Sequence, residues 1–266
     1  MFKYMEYRVP RPLAPLVKKL WSLDNLSNPA PVQNKSILPN GCFNIAFIAG
    51  EGVLIINKTG RIHLKEGVYF CGQMTELLDI DIFPHSRATM VQLYPWTPVH
   101  FDPAAEMSRY IDSFISLDQL GTYHFEDWLK AGEAAICRVV ATTFRPLFKA
   151  GLNTMLLTRA TQGVMNAHGD LHIAELSKAS NCSQRHLQKL FKKHIGLSPK
   201  RFTNIIKLRE AVDDLAFREN NPGTLTTLAL TNGFYDQAHF NNSFQSVVKK
   251  SPHKFSINDC FLSFKK

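Results

Sequence analysis

One stretch of the chain, Leu171 to Phe255, contains the same unit twice, and that duplication constrains the fold more than any other feature. Leu187-Gln-Lys-Leu-Phe191 followed by Ser198-Pro-Lys-Arg-Phe202 is echoed by Phe240-Asn-Asn-Ser-Phe244 followed by Ser251-Pro-His-Lys-Phe255. Phe191 maps to Phe244, Ser198 to Ser251, Pro199 to Pro252 and Phe202 to Phe255, always 53 residues on. Upstream, Leu176 maps to Leu228 and Asn181 to Gly233, 52 residues on. A fixed offset with one insertion in a turn is the signature of a repeated supersecondary unit. Two copies are too few for a solenoid.

Each copy reads as a short helix, a turn and a second helix. In the first, Leu171 to Ala179 is helical with Ile173 and Leu176 inward, and Ser180-Asn-Cys182 is the turn. Ser183 stands where an N-cap is wanted, its hydroxyl able to accept from the amides of the next turn. Leu187, Leu190, Phe191 and Ile195 then share one helical face, which leaves Gln184, Arg185, Gln188, Lys189 and Lys192 on the other. Gly196 ends that helix, Ser198 caps the next and Pro199 takes its first position. Phe202, Ile205, Leu208, Val212 and Leu215 continue at helical spacing, so a long helix bridges the copies until Asn220-Asn-Pro-Gly223 breaks it. In the second copy Thr224 caps a helix holding Leu225, Leu228 and Ala229, Asn232-Gly-Phe234 makes the turn, and Asp236 caps the last helix. Phe240 and Phe244 face its core, leaving Gln237, His239, Asn241 and Asn242 exposed.

Those exposed residue types match the edges of base pairs. Gln offers a donor and an acceptor together to adenine, and Arg offers two donors to guanine O6 and N7. Lys192, Lys193, Lys200 and Arg201, with the Ser183 hydroxyl, suit phosphates. Charge follows the repeat. Residues 1–150 carry 15 Lys and Arg against 14 Asp and Glu, whereas residues 151–266 carry 16 against 8. From Lys178 to Arg209 there are nine basic residues and no acidic one. An excess confined to a duplicated helical unit points to a polyanionic partner. The second copy has no Arg or Lys on its reading face, so the first is expected to dominate affinity and the second to trim specificity.

The first half has a different texture. From Ser36 onward, short apolar runs alternate with turn residues: Cys42–Ala49, Val53–Asn57, Arg61–Leu64, Val68–Cys71, Leu78–Phe83 and Ala88–Tyr94. Six such strands at nearly even spacing predict a small sandwich or barrel such as a jelly roll. Met1 to Gln33 gives little beyond a short strand at Trp21-Ser-Leu-Asp24. After Pro98 the pattern turns helical, with helices expected over Glu133–Lys149 and Asn153–Ala167 and a boundary at Ala150-Gly151. The five cysteines lack any C-x-x-C pair, which favours reduced, buried thiols in a cytoplasm over a disulfide framework. No apolar run is long enough to span a membrane, and no secretory signal is seen at the N-terminus. His63, His85 and His100 are isolated, so no metal or other cofactor is expected.

These residues resemble the AraC/XylS family of bacterial transcription regulators. The match runs from about Asn153 to Phe255. It rests on His186-Leu-Gln-Lys-Leu-Phe-Lys-Lys-His-Ile-Gly-Leu-Ser-Pro199 and on Gly233-Phe-Tyr-Asp-Gln-Ala-His-Phe-Asn-Asn-Ser-Phe244 with Ser251-Pro252. The resemblance implies two helix-turn-helix motifs joined by a long helix, set into successive major grooves of double-stranded DNA. Arg185, Gln188 and Lys189 would read one groove, and Gln237, His239, Asn241 and Asn242 the next. Lys249 stands where the family usually has Gly, and Ser177 where it usually has Ala. The β-rich half resembles, more weakly, the sensing domains that precede this module. That implies modulation by a small-molecule effector or by self-association as a homodimer, with RNA polymerase as a further partner. The organisation expected is therefore two domains. Residues 1–150 form a mainly β, jelly-roll or cupin-like barrel with following helices. Residues 151–258 form an all-α double helix-turn-helix domain, and 259–266 a tail. The function expected is a sequence-specific DNA-binding regulator and not an enzyme. Two alternatives from other classes are a cupin-type metal-dependent enzyme with an appended DNA-binding domain, and an interaction module for an acidic protein.

Overall fold

A computed structural model of the chain describes residues 2–58, 60–101, 104–117, 151–217, 224–255 and 260. The helix expected over Glu133–Lys149, the Asn220–Gly223 break, Cys137 and the tail other than Cys260 lie outside the described residues.

Among the described residues the first half forms ten strands: β1 (Lys3–Tyr7), β2 (Val17–Asp24), β3 (Val32–Ile37), β4 (Phe43–Ala49), β5 (Val53–Asn57), β6 (Gly60–Leu64), β7 (Gly67–Cys71), β8 (Leu78–Ile82), β9 (Arg87–Leu93) and β10 (Phe114–Ser116). They make a six-stranded sheet of order β1-β2-β9-β4-β7-β10 and a four-stranded sheet of order β3-β8-β5-β6, antiparallel at every pairing. Strand alternation explains why β4 is apolar almost throughout. Phe43, Ile45 and Phe47 enter one core with Leu20, Val91 and Leu93, while Ala46 and Ile48 enter a second with Val53, Ile55, Ile80 and Ile82. A sheet buried on both faces needs apolar residues at consecutive positions.

The six strands expected between Cys42 and Tyr94 are all present, each to within a residue or two. Four others were not foreseen, apart from the fragment at Trp21. In β2 two lysines interrupt the pattern, but Lys19 bonds Glu6 of the neighbouring strand at 2.6 Å and lies over the Tyr4 ring. Polar β3 is an edge strand with a register shift between Val32 and Lys35, where Asn34 has φ 58°. After Pro98 the pattern predicts helix, but the described residues up to Leu117 hold little of it. A short helix α1 (Pro98–Phe101) and a 3-10 turn (Met107–Tyr110) lead into β10, which pairs with β7. Three residues are too few to show a period of two.

The second half is helical: α2 (Leu152–Asn166), α3 (Ile173–Ala179), α4 (Gln184–His194), α5 (Pro199–Phe217), α6 (Leu225–Thr231) and α7 (Gln237–Val248). Helix α5 belongs to two cores at once. Its Phe202, Ile205 and Ile206 join Leu157, Ala160, Val164, Leu176, Leu187, Leu190 and Phe191. Further along, Leu208, Ala211 and Val212 join Leu228, Ala229, Phe234, Phe240 and Phe244. Lys207, between those groups, donates to Asp170 Oδ1 at 3.0 Å and to the Gly233 carbonyl at 2.8 Å, tying the entrance of one unit to the turn of the other. Gly233 has φ 73°, and a Cβ there would stand 2.5 Å from Asp170.

Four of the cysteines are described, and all are free thiols. Cys42 and Cys71 are buried, and burial pushes the Cys71 thiol up to about 12. Cys182 and Cys260 are only half-buried, since each lies at the margin of a helical core rather than within it.

Candidate nucleic-acid interface

Helix α4 begins as the sequence requires. Ser183 Oγ accepts from His186 N at 3.2 Å, so this hydroxyl serves the helix start. Leu187, Leu190, Phe191 and Ile195 are buried, as is His194 at 4 % exposure. Gln184, Arg185, Gln188, Lys189, Lys192 and Lys193 are all exposed. They form one polar, cationic face because the apolar positions three and four apart hold the opposite face in the core. Burial lowers the His194 pKa below its ordinary value, and the charge of Lys193 acts in the same direction. Beyond the helix, Gly196 takes φ 85° and Ser198 Oγ accepts from Arg201 N at 3.2 Å to open α5. Lys200 and Arg201 are exposed there.

The second unit repeats the frame with different chemistry. Thr224 Oγ1 accepts from Thr227 N at 3.2 Å, and Asp236 Oδ1 accepts from His239 N at 2.7 Å. Gln237 is half-buried, its Oε1 accepting from the Thr226 hydroxyl at 2.7 Å. His239 is exposed, with its ring edge-on to Phe234 at 5.5 Å between centroids. Asn242 is exposed, whereas Asn241 is half-buried with Oδ1 enclosed and unpartnered. Helix α7 contains no Lys or Arg. Its C-terminus resolves the Lys249 departure: the residue adopts φ 62°, the left-handed conformation in which Gly is usual. Its ammonium bonds the Ser246 carbonyl at 2.9 Å and Glu76 at 3.2 Å. Ser177, the other departure, is buried and donates to the Ala174 carbonyl at 2.9 Å.

Several residues at this surface escaped the sequence reading. Tyr235, in the turn before α7, is 86 % exposed. An aromatic held in water beside a polar helix face is a contact candidate, and its place between Phe234 and the Asp236 cap was the available signal. The β-rich half also reaches both polar helices. A Cβ at Gly196 would stand 2.8 Å from the Met107 carbonyl, and Glu106 and Ser108 share a shallow groove with Arg185, Gln188, Lys189, Lys192 and Lys193. At the other end Leu77 N donates to the Val247 carbonyl at 2.8 Å beside the Glu76–Lys249 pair. Sequence periodicity carries no sign of such distant contacts.

The isolated histidines of the β half have structural partners. His63 bonds the Glu51 carbonyl at 2.8 Å, and His85 bonds the Leu26 carbonyl at 3.0 Å. Among the described residues no group of three or more His, Cys, Asp or Glu gathers as a metal site would require, and no helix is long and apolar enough to cross a membrane.

Residues 176–256 match the model of a helix-turn-helix domain, and residues 5–101 match a domain of unknown function, DUF6597. Among curated proteins, an uncharacterized HTH-type transcriptional regulator of Staphylococcus aureus strain MSSA476 is 31% identical over 91 residues, which is 34% of this chain and 12% of the relative. One from Haemophilus influenzae is 29% identical over 104 residues, 39% of this chain and 33% of the relative. The chain thus spans a minor part of the length of these relatives. Among solved structures, ToxT from Vibrio cholerae O395 aligns over 94% of this chain and 95% of its own at 9% identity, with a TM-score of 0.44. The C-terminal domain of AraT, a response regulator from Geobacillus stearothermophilus, aligns over 42% of this chain and 91% of its own at 19% identity, with a TM-score of 0.35.

Proposed function

We propose that this chain, which belongs to the AraC family of helix-turn-helix regulators, reads a specific duplex by setting α4 and α7 into neighbouring major grooves. DNA binding and transcription regulation, like the choice of residues, belong to this reading, supported by the helix-turn-helix domain matched over residues 176–256. Arg185, Gln188 and Lys189, with Gln184, contact base edges in the first groove. His239 and Asn242 do so in the second, joined by Gln237 and Asn241 once their side chains turn outward. Lys192, Lys193, Lys200 and Arg201 hold phosphates, and Ser183 presents its helix start to one. The observation that carries this reading is the exposed cationic face of α4 on a frame whose α5 is shared by both cores.

The β-rich half acts in this reading as the modulator, through a small-molecule effector or self-association. Its support is the contact it makes with the C-terminal ends of both polar helices, at Met107 and Gly196 and at Leu77 and Val247. The Glu106 carboxylate shares a groove with Arg185, Lys189, Lys192 and Lys193, cations that a duplex would engage, and Glu76 pairs with Lys249 at the end of α7. A cytoplasmic site of action and RNA polymerase as partner belong to the same reading.

The test is binding to duplexes selected from a random pool. Affinity is expected to fall by about 10² between 50 and 200 mM salt, the slope of about −3.6 that four phosphate-holding cations give. Failure to enrich any sequence, or an affinity indifferent to salt, overturns the proposal.

A further inference from the structure

The register of the repeat bears on the bases themselves. The offset that relates Phe191 to Phe244 also sets Ala238 where α4 has Arg185, Asn242 where it has Lys189 and Gln245 where it has Lys192. All six of these residues are exposed. Steps of four and three place each trio in one row along its helix. Phe240, Ser243, Phe244 and Val247 are buried on the opposite side of α7, so Ala238, Asn242 and Gln245 run along the middle of its outward face. The residues flanking that row are steadied by the fold. Gln237 is held through Oε1 by the Thr226 hydroxyl at 2.7 Å. The His239 ring lies edge-on to Phe234, and its Nδ1 accepts from Tyr235 N at 3.4 Å. Ser183 and Asp236 each accept from the amide three residues on, so the two rows begin at the same point of the first turn.

We infer that the second unit reads A·T pairs, with the Ala238 methyl against the 5-methyl group of a thymine and Asn242 bidentate to N6 and N7 of an adenine. The thymine methyl is the apolar feature of the major groove that a small side chain can meet, and an amide's donor and acceptor together match adenine. Arg185, at the place in α4 that Ala238 takes in α7, offers two donors to guanine O6 and N7 instead. The target is therefore asymmetric. A guanine-bearing site for the first unit lies about one helical turn from an A·T site for the second, not from a copy of itself. This inference rests on the proposed placement of α4 and α7 in neighbouring major grooves.

The experiment is selection of duplexes from a random pool by the full chain, followed by affinities for a selected duplex whose second-site thymines are replaced by 2′-deoxyuridine. That replacement removes only the 5-methyl group. The expected second site consists of A·T pairs, and uracil there should weaken the wild type about fourfold, the effect of uncovering about one buried methyl. In Ala238→Gly, uracil and thymine duplexes should bind alike, a comparison made within one variant so that any loss of helix stability cancels. The double variant Ala238→Arg with Asn242→Lys copies the face of α4 and should shift the second site to the bases of the first. A second site of G·C pairs, wild-type binding indifferent to uracil, or a double variant that keeps the A·T preference overturns this inference and leaves the DNA reading standing. Failure to enrich any sequence overturns both.

Discussion

The two helix-turn-helix units are built alike and finished differently. Phe191 lies edge-on to Phe202 at 5.7 Å between centroids, and their counterparts Phe244 and Phe255 do the same at 5.4 Å. Asn181 and Gly233 both turn left-handed between the paired helices, at φ 50° and 73°. Gly196 and Lys249 do so after the second helix, at φ 85° and 62°. Ser183 and Asp236 cap the polar helices through the same amide, three residues on. The outward faces diverge, since α4 presents Arg185, Lys189, Lys192 and Lys193 to solvent while α7 offers no full positive charge. Duplicated packing therefore coexists with unequal surface charge. In the proposed reading the first unit supplies attraction to phosphate and the second discrimination at close range.

That contrast can be broken most forcefully in the cores. Phe191→Ala and Phe244→Ala each leave a cavity under a fully buried ring, so urea unfolding should show losses of about 3–5 kcal/mol in both cases. A loss in one unit far below that in the other would mean that the repeat is not structural. The reading faces should behave unequally. Arg185→Ala with Lys189→Ala is expected to weaken specific DNA binding at least about thirtyfold, at about 1–3 kcal/mol for each base contact. His239→Ala with Asn242→Ala should cost tenfold or less, and equal losses would refute the division of labour. In the same binding assay Lys192→Ala with Lys193→Ala should lower the salt slope by about 2, a term that helix α7, which has no Lys or Arg, cannot match. Caps come next. Ser183→Ala and Asp236→Ala should each cost about 1 kcal/mol in thermal or urea unfolding, again symmetrically.

The smallest effect belongs to the first unit alone. Because burial depresses the His194 pKa, the folded state binds fewer protons than the unfolded state in acid. Its contribution is therefore complete above about pH 6.5, the ordinary histidine value, and declines as pH falls from there toward the lowered folded pKa. His194→Gln should flatten that part of the stability profile. An unchanged profile would show that another group is responsible.

How far the sequence revealed this molecule depended on whether the cause of each feature was local. Caps, turns and apolar steps are local, so Ser183, Thr224, Asp236 and Gly196 were legible before any coordinates. So were the strands from Cys42 to Tyr94, whose turns are marked by Gly50, Gly52 and Gly72. Strands β1 to β3 were obscured because their stability comes from partners elsewhere in the chain, such as Glu6 for Lys19 and Asp79 for Ser36. At the interface, residue types announced the cationic face of α4. The enclosed Asn241 Oδ1, the exposed Tyr235 and the approach of Glu106 depend on tertiary packing that no spacing encodes.

The central claim is that two rigidly joined units occupy adjacent grooves, with the first supplying most of the grip. Hydroxyl-radical footprinting on a selected duplex tests it most directly. The account predicts two protected patches on one face of the DNA, about one helical turn or 34 Å apart. Arg185→Ala with Lys189→Ala should abolish one patch and most of the affinity, while His239→Ala with Asn242→Ala should only dim the other. A single patch, or two on opposite faces of the helix, would contradict it.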